Sequence, residues 1–310
     1  MIVSASRRTD IPAFFSDWFF NRIDDGFLFA RNPMNPHQIS RISLSPAVVD
    51  CIVFWSKNPK RMIERLHLLD RYNYYFQFTI TAYGQLLEPN VPTRDEAIDI
   101  FNRLSRKIGK NRVVWRYDPI ILADNIDIKY HVASFEYIAK QLFGKTRRCV
   151  ISFLDLYKKT IRNISSVSVT DITVEMMIDL ARALSILASR YGIELVSCAE
   201  EIDLVSYGIK HGKCIDDKLI EEVFGFALQI EKDKTQRAEC GCVASVDIGS
   251  YNTCPHGCLY CYANFSPDKV RLNYALHNPH SPLLFGEIKP GDKITDRKVI
   301  SCKAIQQKLL

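Results

Sequence analysis

Six short runs of β-branched and aromatic residues recur along the first two-thirds of the chain, and they constrain the fold more than any other feature. They cover residues 2–4, 51–55, 75–80, 113–117, 149–153 and 194–198. Each is nearly continuous in apolar character, as strands buried on both faces are. Between them lie stretches of helical period at 14–24, 59–70, 94–108, 131–142 and 174–191. Repeated alternation of strand and helix argues for a parallel α/β fold. A unit of roughly 35–45 residues predicts a (β/α) barrel, complete or partial and TIM-like. A doubly wound open sheet is the alternative. No G-x-G-x-x-G or P-loop follows any of the runs, so the nucleotide-binding versions of that sheet lose support. Residues 26–46 are irregular and can add a small hairpin.

The 310 residues suit one barrel or two ordinary domains. With 47% hydrophobic and 25% charged residues, the chain can bury a core, which excludes intrinsic disorder. Only 13 Gly and 13 Pro exclude collagen-like and low-complexity classes. No apolar run approaches the ~18 residues of a membrane span, and no membrane partner is expected. The Arg7-Arg8 pair has no apolar segment behind it, and Asp10, Pro12 and Asp17 interrupt the stretch after it. No secretion signal is therefore read, and a cytoplasmic location is expected. A net charge of +6 permits a polyanionic partner, but no long Lys/Arg block or spaced stacking platform indicates nucleic acid.

A polar residue set follows each apolar run. Arg7, Arg8, Thr9 and Asp10 follow the first, and Lys57 and Asn58 the second. Thr79 and Thr81 close the third. Arg116 and Asp118 lie at the end of the fourth, Ser152 and Asp155 at the fifth, and Cys198 and Glu200 at the sixth. A parallel barrel gathers all these ends on one face, where such folds place their chemistry. The blander reading is that loops are polar because they meet water. Arg7, Arg8, Lys57 and Arg116 suit an anionic group such as phosphate or carboxylate. Asp10, Asp118 and Glu200 are candidates for acid–base or orienting roles.

Seven of ten cysteines fall between Cys198 and Cys261. In a reducing compartment such crowding argues for metal rather than disulfides. The sharpest element is T-C-P-H-G-C-L-Y-C-Y-A-N, with Cys254, Cys258 and Cys261 spaced around Tyr260. Three thiolates on one loop suit an iron–sulfur cluster with one iron left open for chemistry. Cys198, Cys214, Cys240 and Cys242 are numerous enough for a second site, either a cluster or zinc. The C-G-C of 240–242 allows a tight approach to a metal. The alternative is that these four are small hydrophobes in the core. That reading is taken for Cys51 and Cys149, inside strands, and Cys302 is unassigned. A structural zinc site is the rival for the main motif, with Cys258 and Cys261 as one C-x-x-C pair and Cys240 and Cys242 as its partner. His256 reads as a supporting or surface residue.

The motif resembles the cluster loop of the radical S-adenosylmethionine (radical SAM) superfamily, position for position at Cys254, Cys258, Tyr260 and Cys261. The resemblance implies a 4Fe–4S cluster on the three cysteines, Tyr260 against the adenine of S-adenosylmethionine, and an electron donor such as ferredoxin or flavodoxin. The start S-A-S-R-R-T-D-I-P, the segments W-S-K-N-P, W-R-Y-D-P and C-G-C, and the final cysteine cluster together resemble a bacterial domain-of-unknown-function family. That family is noted for a C-terminal cysteine cluster like the radical SAM one, and the likeness covers nearly the whole chain without implying an activity.

Two features depart from the superfamily. Its cluster loop follows the first strand, whereas here it lies at residue 254 of 310. A circular permutation reconciles this, with 244–248 as the superfamily's first strand and 1–6 as its second. The T-D-I-P-A-F turn then sits where spore photoproduct lyase-like relatives carry a T-D-P-like turn. Nor does any strand end in the Gly-Gly-Glu that holds the cofactor's amino group. Thr9, Asp10, Lys57 and Asn58 would supply those contacts instead. The expected organisation is a barrel body at 1–243, a cluster strand and loop at 244–264, and a tail at 265–310 packed on the body. Two functions are expected: a radical SAM-like iron–sulfur enzyme with its site at the strand ends, or a zinc- or cluster-stabilised nucleic-acid-binding or redox protein.

Overall fold

The computed structural model describes residues 1–155, 162–165 and 167–304. Eight parallel strands form its central sheet: β1 (Ile2–Ala5), β2 (Cys51–Ser56), β3 (Tyr74–Thr79), β4 (Val113–Ile120), β5 (Arg148–Phe153), β6 (Glu194–Ser197), β7 (Lys210–His211) and β8 (Val246–Asp247). Their order is β7-β6-β5-β4-β3-β2-β1-β8. Seven strands thus follow chain order, and the last flanks the first. All six expected strands are present. The fourth extends to Ile120 because a register shift after Tyr117 carries it past the expected end. β8 lies within the strand expected at 244–248, and β7 is too short to announce itself in the sequence. Among the described residues no ladder joins β7 to β8, so the fold is a large parallel sheet flanked by helices.

The helices α1 (Ser16–Asp25), α2 (Arg94–Ile108), α3 (Ile128–Gln141) and α4 (Val174–Arg190) bring their apolar stripes to the core. α2 shows why these segments fold locally. Thr93 and Glu96 form a capping box, acids occupy its first turn, and Arg106 and Lys107 its last. The expected helix at 59–70 instead divides into Lys60–Ile63 and a 3₁₀ turn, Leu66–Leu69, where i→i+3 hydrogen bonds tighten the chain.

Strand residues alternate between two cores, as a two-residue period requires. Val3, Ile52, Phe54, Phe76, Phe78, Trp115 and Ile151 pack with α1–α4 residues such as Phe19, Phe101, Phe135 and Leu184. Phe54 stacks on Phe76 and Trp115 on Phe135, each pair at 4.7 Å between centroids. The alternate residues Ile2, Val53, Tyr75, Val114, Val150 and Val196 form the second core. It is closed by residues 214–220, including the start of α5 (Asp217–Phe224), and by 240–243.

Phe27–Arg31 and Gln38–Ser43 form the expected hairpin, which Lys293–Asp296 extends in parallel. Helix α6 (Pro267–Ala275) lies in a segment whose sequence shows no period. The chain beyond it returns to α1, where Trp18 Nε1 donates to the Ser281 carbonyl at 2.9 Å and Arg22 Nη2 to that of His280 at 3.1 Å. No helix among the described residues is long and apolar enough to cross a membrane.

Candidate functional site

β8 delivers the cysteine motif to the carboxyl ends of the strands. It pairs in parallel with β1 through Val3–Val246 and Ser4–Asp247. The Asp247 carboxylate then organises the turn leaving β1. It accepts from Ser4 Oγ at 2.7 Å, Ser6 Oγ at 2.6 Å, and the backbone N–H groups of Arg7 and Gly249, both at 3.0 Å. Gly249 passes so close that an added Cβ would lie 2.2 Å from Ser6 Oγ and 2.5 Å from Ser6 Cβ. Gly249→Ala should therefore push Ser6 off Asp247 and cost about 1–3 kcal/mol, the usual penalty for overpacking. Urea denaturation against wild type measures this, and equal midpoints would refute it.

The motif loop is closed at its base and stapled at its tip. Asn252, in the left-handed region at φ 53°, accepts from Phe265 N at 2.9 Å and Ser266 N at 3.2 Å through Oδ1. Asn264 Nδ2 donates to the Cys254 carbonyl at 2.6 Å. At the tip, Leu259 N donates to the Leu87 carbonyl at 2.9 Å and Asn90 Nδ2 to that of Pro255 at 2.9 Å. His256 Nε2 pairs with Asp10 Oδ2 at 2.8 Å in a buried contact. Asp10 also accepts from Ala13 N, Ser56 Oγ and Lys57 N, at 2.8–2.9 Å. Its carboxylate is committed to latching β1, β2 and the cysteine loop together.

Within this loop Cys254 and Cys258 both feel the charge of Cys261, and Cys258 that of Cys254. Burial pushes the Cys254, Cys258 and Cys261 thiols up, and Cys258 is raised further by its two neighbours. Lys57 works against burial at Cys258 and Cys261. Its Nζ lies 5.6 Å above the Tyr260 ring and 2.8 Å from Glu88 Oε1. Glu88 Oε1 also accepts from Thr81 Oγ1 at 2.7 Å and from the Tyr260 hydroxyl. Burial alone would raise Glu88, but Lys57 and the two hydroxyls hold it below the ordinary carboxylate range. Burial alone would lower Lys57, and Glu88 reverses that. Beside them a cleft of about 280 Å³ opens, lined in part by Thr81, Glu88, Thr93 and Arg94.

The other four cysteines meet on the second core, at the same end of the sheet. Cys198 follows β6, and its Sγ lies 3.0 Å from Cys214 Sγ. Cys242 Sγ accepts from the backbone N–H groups of Cys214 and Ile215 at 3.3 and 3.4 Å. The neighbouring Cys242 outweighs burial and lowers the Cys240 thiol to about 7. Tyr75 OH and Gln77 Nε2, from β3, donate to the Cys214 carbonyl at 2.6 and 2.9 Å. Arg116 Nη1 donates to Cys214 Sγ at 2.9 Å, while its Nε donates to Asp118 Oδ1 at 2.9 Å.

The remaining candidates divide. Arg7 lies over the Trp55 ring at 5.6 Å, near Cys214 and Cys242, and Arg8 lies over Tyr251 at 5.0 Å. Asn58 Oδ1 accepts from Lys60 N at 3.4 Å, at the start of a short helix. Glu200 accepts from Phe153 N at 2.9 Å, and burial raises it to about 7. Cys51 and Cys149 are buried within strands, as expected. Glu88 and Asp247 are site residues that the sequence does not single out. A carboxylate inside an otherwise apolar strand segment is the available signal for Asp247. Glu88 sits in an ordinary-looking loop.

Among the described residues, no three or more His, Cys, Asp or Glu side chains are set as a single metal ion requires. At this end of the sheet, four buried polar atoms have no partner among the described residues: Arg7 Nε, Thr9 Oγ1, Ser197 Oγ and Asn264 Oδ1. Buried polar groups are nearly always satisfied, so each of these atoms is free to bond a ligand or a water.

A family model described as "Domain of unknown function (DUF1848)" matches residues 2–263. No curated protein matches the chain. Among solved structures, a "putative alpha-L-fucosidase" from Bacteroides thetaiotaomicron VPI-5482 is similar at 13% identity and a TM-score of 0.28. The alignment covers 49% of this chain and 44% of that one, so the chain spans less than half the length of that protein.

Proposed function

Because the chain belongs to the DUF1848 family, whose description states no activity, we propose its function from the site: an iron–sulfur enzyme of the radical SAM type. The observation that carries this reading is that Cys254, Cys258 and Cys261 lie on one stapled loop, coupled in charge and beside part-buried Lys57 and buried Tyr260. The donor set fits a 4Fe–4S cluster, because three soft thiolates leave one iron without a protein ligand. They need not share one ion, since each would hold a different iron. When bound, the cluster would supply a reducing electron and an open iron for the amine and carboxylate of S-adenosylmethionine.

The chain's own residues have definable roles in this reading. Lys57 moderates the negative charge of the thiolates. Tyr260, anchored by Glu88 and edge-on to Tyr83 at 5.9 Å, presents a fixed ring beside the loop. Thr9 Oγ1 is a buried hydroxyl still able to exchange a hydrogen bond with the cofactor. Arg7 and Arg116 place positive charge at the strand ends, beside Cys214, for an anionic substrate. Asp118 orients Arg116. Asp10 acts by holding β1, β2 and the loop in register, so its role is positioning. The fold itself is read as a (β/α) barrel in permuted order, a reading supported by the pairing of β8 with β1.

The test is anaerobic. Protein reconstituted with iron and sulfide and reduced with dithionite is mixed with S-adenosylmethionine. Formation of 5′-deoxyadenosine is expected. A full, reducible cluster that yields none would move the reading to electron transfer.

A further inference from the structure

The proposed activity leaves Cys198, Cys214, Cys240 and Cys242 unused, yet three separate segments bring them together. Cys198 follows β6, Cys214 follows β7, and Cys240 and Cys242 form the C-G-C that precedes β8. The convergence is built by backbone. Gly212 N donates to the Ser197 carbonyl at 2.7 Å, and a Cβ on Gly212 would lie 2.7 Å from Val196 Cγ2, so the turn after β7 is pressed onto β6. Val243 N donates to the Ile215 carbonyl at 3.1 Å, which seats the C-G-C against the same turn.

We propose that Cys198, Cys214, Cys240 and Cys242 form a second metal centre, a four-thiolate site for a single soft divalent cation of the zinc class. Cys198 Sγ lies 3.0 Å from Cys214 Sγ, Cys242 Sγ lies 3.3 Å from the Cys214 backbone nitrogen, and Cys240 sits two residues before Cys242 on the C-G-C. A tetrahedral ion with metal–sulfur bonds of ~2.3 Å sets its sulfurs ~3.8 Å apart. The four thiols are not set around one point as they stand, so binding would rotate their side chains onto the ion.

Polar donors are also aimed at the sulfurs. Cys242 Sγ accepts from the N–H groups of Cys214 and Ile215 at 3.3 and 3.4 Å, and Cys214 Sγ accepts from Arg116 Nη1 at 2.9 Å. Thiols serving only as small hydrophobes would not need a guanidinium and two amides directed at them. Such outer partners are what orient and tune metal-bound sulfur. Arg7 and Arg116 bring positive charge to the thiols, and each also faces a carboxylate, Asp247 and Asp118 respectively. Binding displaces the thiol protons to solvent and leaves the oxidation state of sulfur and metal unchanged. A filled site would fix Arg116 and the turn after β7 at the edge of the proposed active site.

The experiment keeps this centre separate from the proposed cluster. The full chain carrying Cys254→Ala, Cys258→Ala and Cys261→Ala is purified anaerobically, then offered zinc or cobalt in one arm and ferrous iron with sulfide in another. About one zinc per chain is expected, together with the visible spectrum and thiolate charge-transfer bands of tetrahedral cobalt. Adding Cys240→Ser and Cys242→Ser should abolish both while circular dichroism stays unchanged. A folded triple variant that takes up neither zinc nor cobalt overturns the proposal. So does acid-labile sulfide bound stoichiometrically with iron at these four residues, or a Cys198–Cys214 disulfide in the anaerobic protein. Should the triple variant not fold, cobalt titration of the wild type against Cys240→Ser decides by the same spectrum.

Discussion

Cys258→Ala should lose essentially all reconstituted iron and acid-labile sulfide from the 254–261 loop, while the chain keeps its fold. Cys258 feels the charge of both other thiols of the loop and of Lys57. With it removed, two thiols remain to hold the cluster. The loop keeps its geometry without that side chain, because its shape rests on backbone contacts: Leu259 N to the Leu87 carbonyl and Asn264 Nδ2 to that of Cys254. Iron and sulfide analysis after anaerobic reconstitution, alongside circular dichroism, measures both halves of the prediction. A Cys258→Ala protein that still binds iron and sulfide at the wild-type ratio would show that the motif does not hold the cluster.

The second large effect lies in the Lys57–Glu88 pair. Glu88→Gln leaves a part-buried ammonium without its counter-charge, and breaking such a pair from one side costs up to about 3–5 kcal/mol. Lys57→Met combined with Glu88→Gln removes the stranded charge and should recover most of that loss. The pH dependence has a definite sign. Glu88 is held below its ordinary value of 4.5, so its stabilising contribution is present above that pH. It disappears as pH falls through the lowered value. The stability gap between wild type and Glu88→Gln should therefore be full at neutral pH and close in acid. Urea denaturation across that range reads it out. A gap of equal size at pH 7 and in strong acid would refute the charge-pair account and leave only packing.

Both predictions concern groups that differ in how far the sequence reveals them. The spacing of Cys254, Cys258, Tyr260 and Cys261 is legible because all four sit on one loop, where sequence distance is spatial distance. The six long strands are legible for a similar reason. Buried parallel strands are apolar on both faces, and runs such as Val150 to Phe153 carry that signature within themselves. The capped helix α2 also writes its ends locally, in Thr93, Glu96 and Lys107.

The tertiary structure decided everything that depends on which strands become neighbours. β8 is two residues long, and only its pairing with β1 places the cysteine loop beside Asp10 and Lys57. Glu88 became a site residue because the 84–88 turn folds over the exit of β2 and meets Lys57 and Tyr260. Asp10, a candidate acid or base by sequence, is instead saturated by four hydrogen bonds from three segments. Cys198, Cys214, Cys240 and Cys242 meet because the turn after β7 crosses the face opposite α1–α4 and packs against Tyr75 and Gln77. Local propensity and period are properties of a short segment and can be read along it. The meeting of buried charges and thiols is settled by long-range packing, where each partner's burial depends on the other being there.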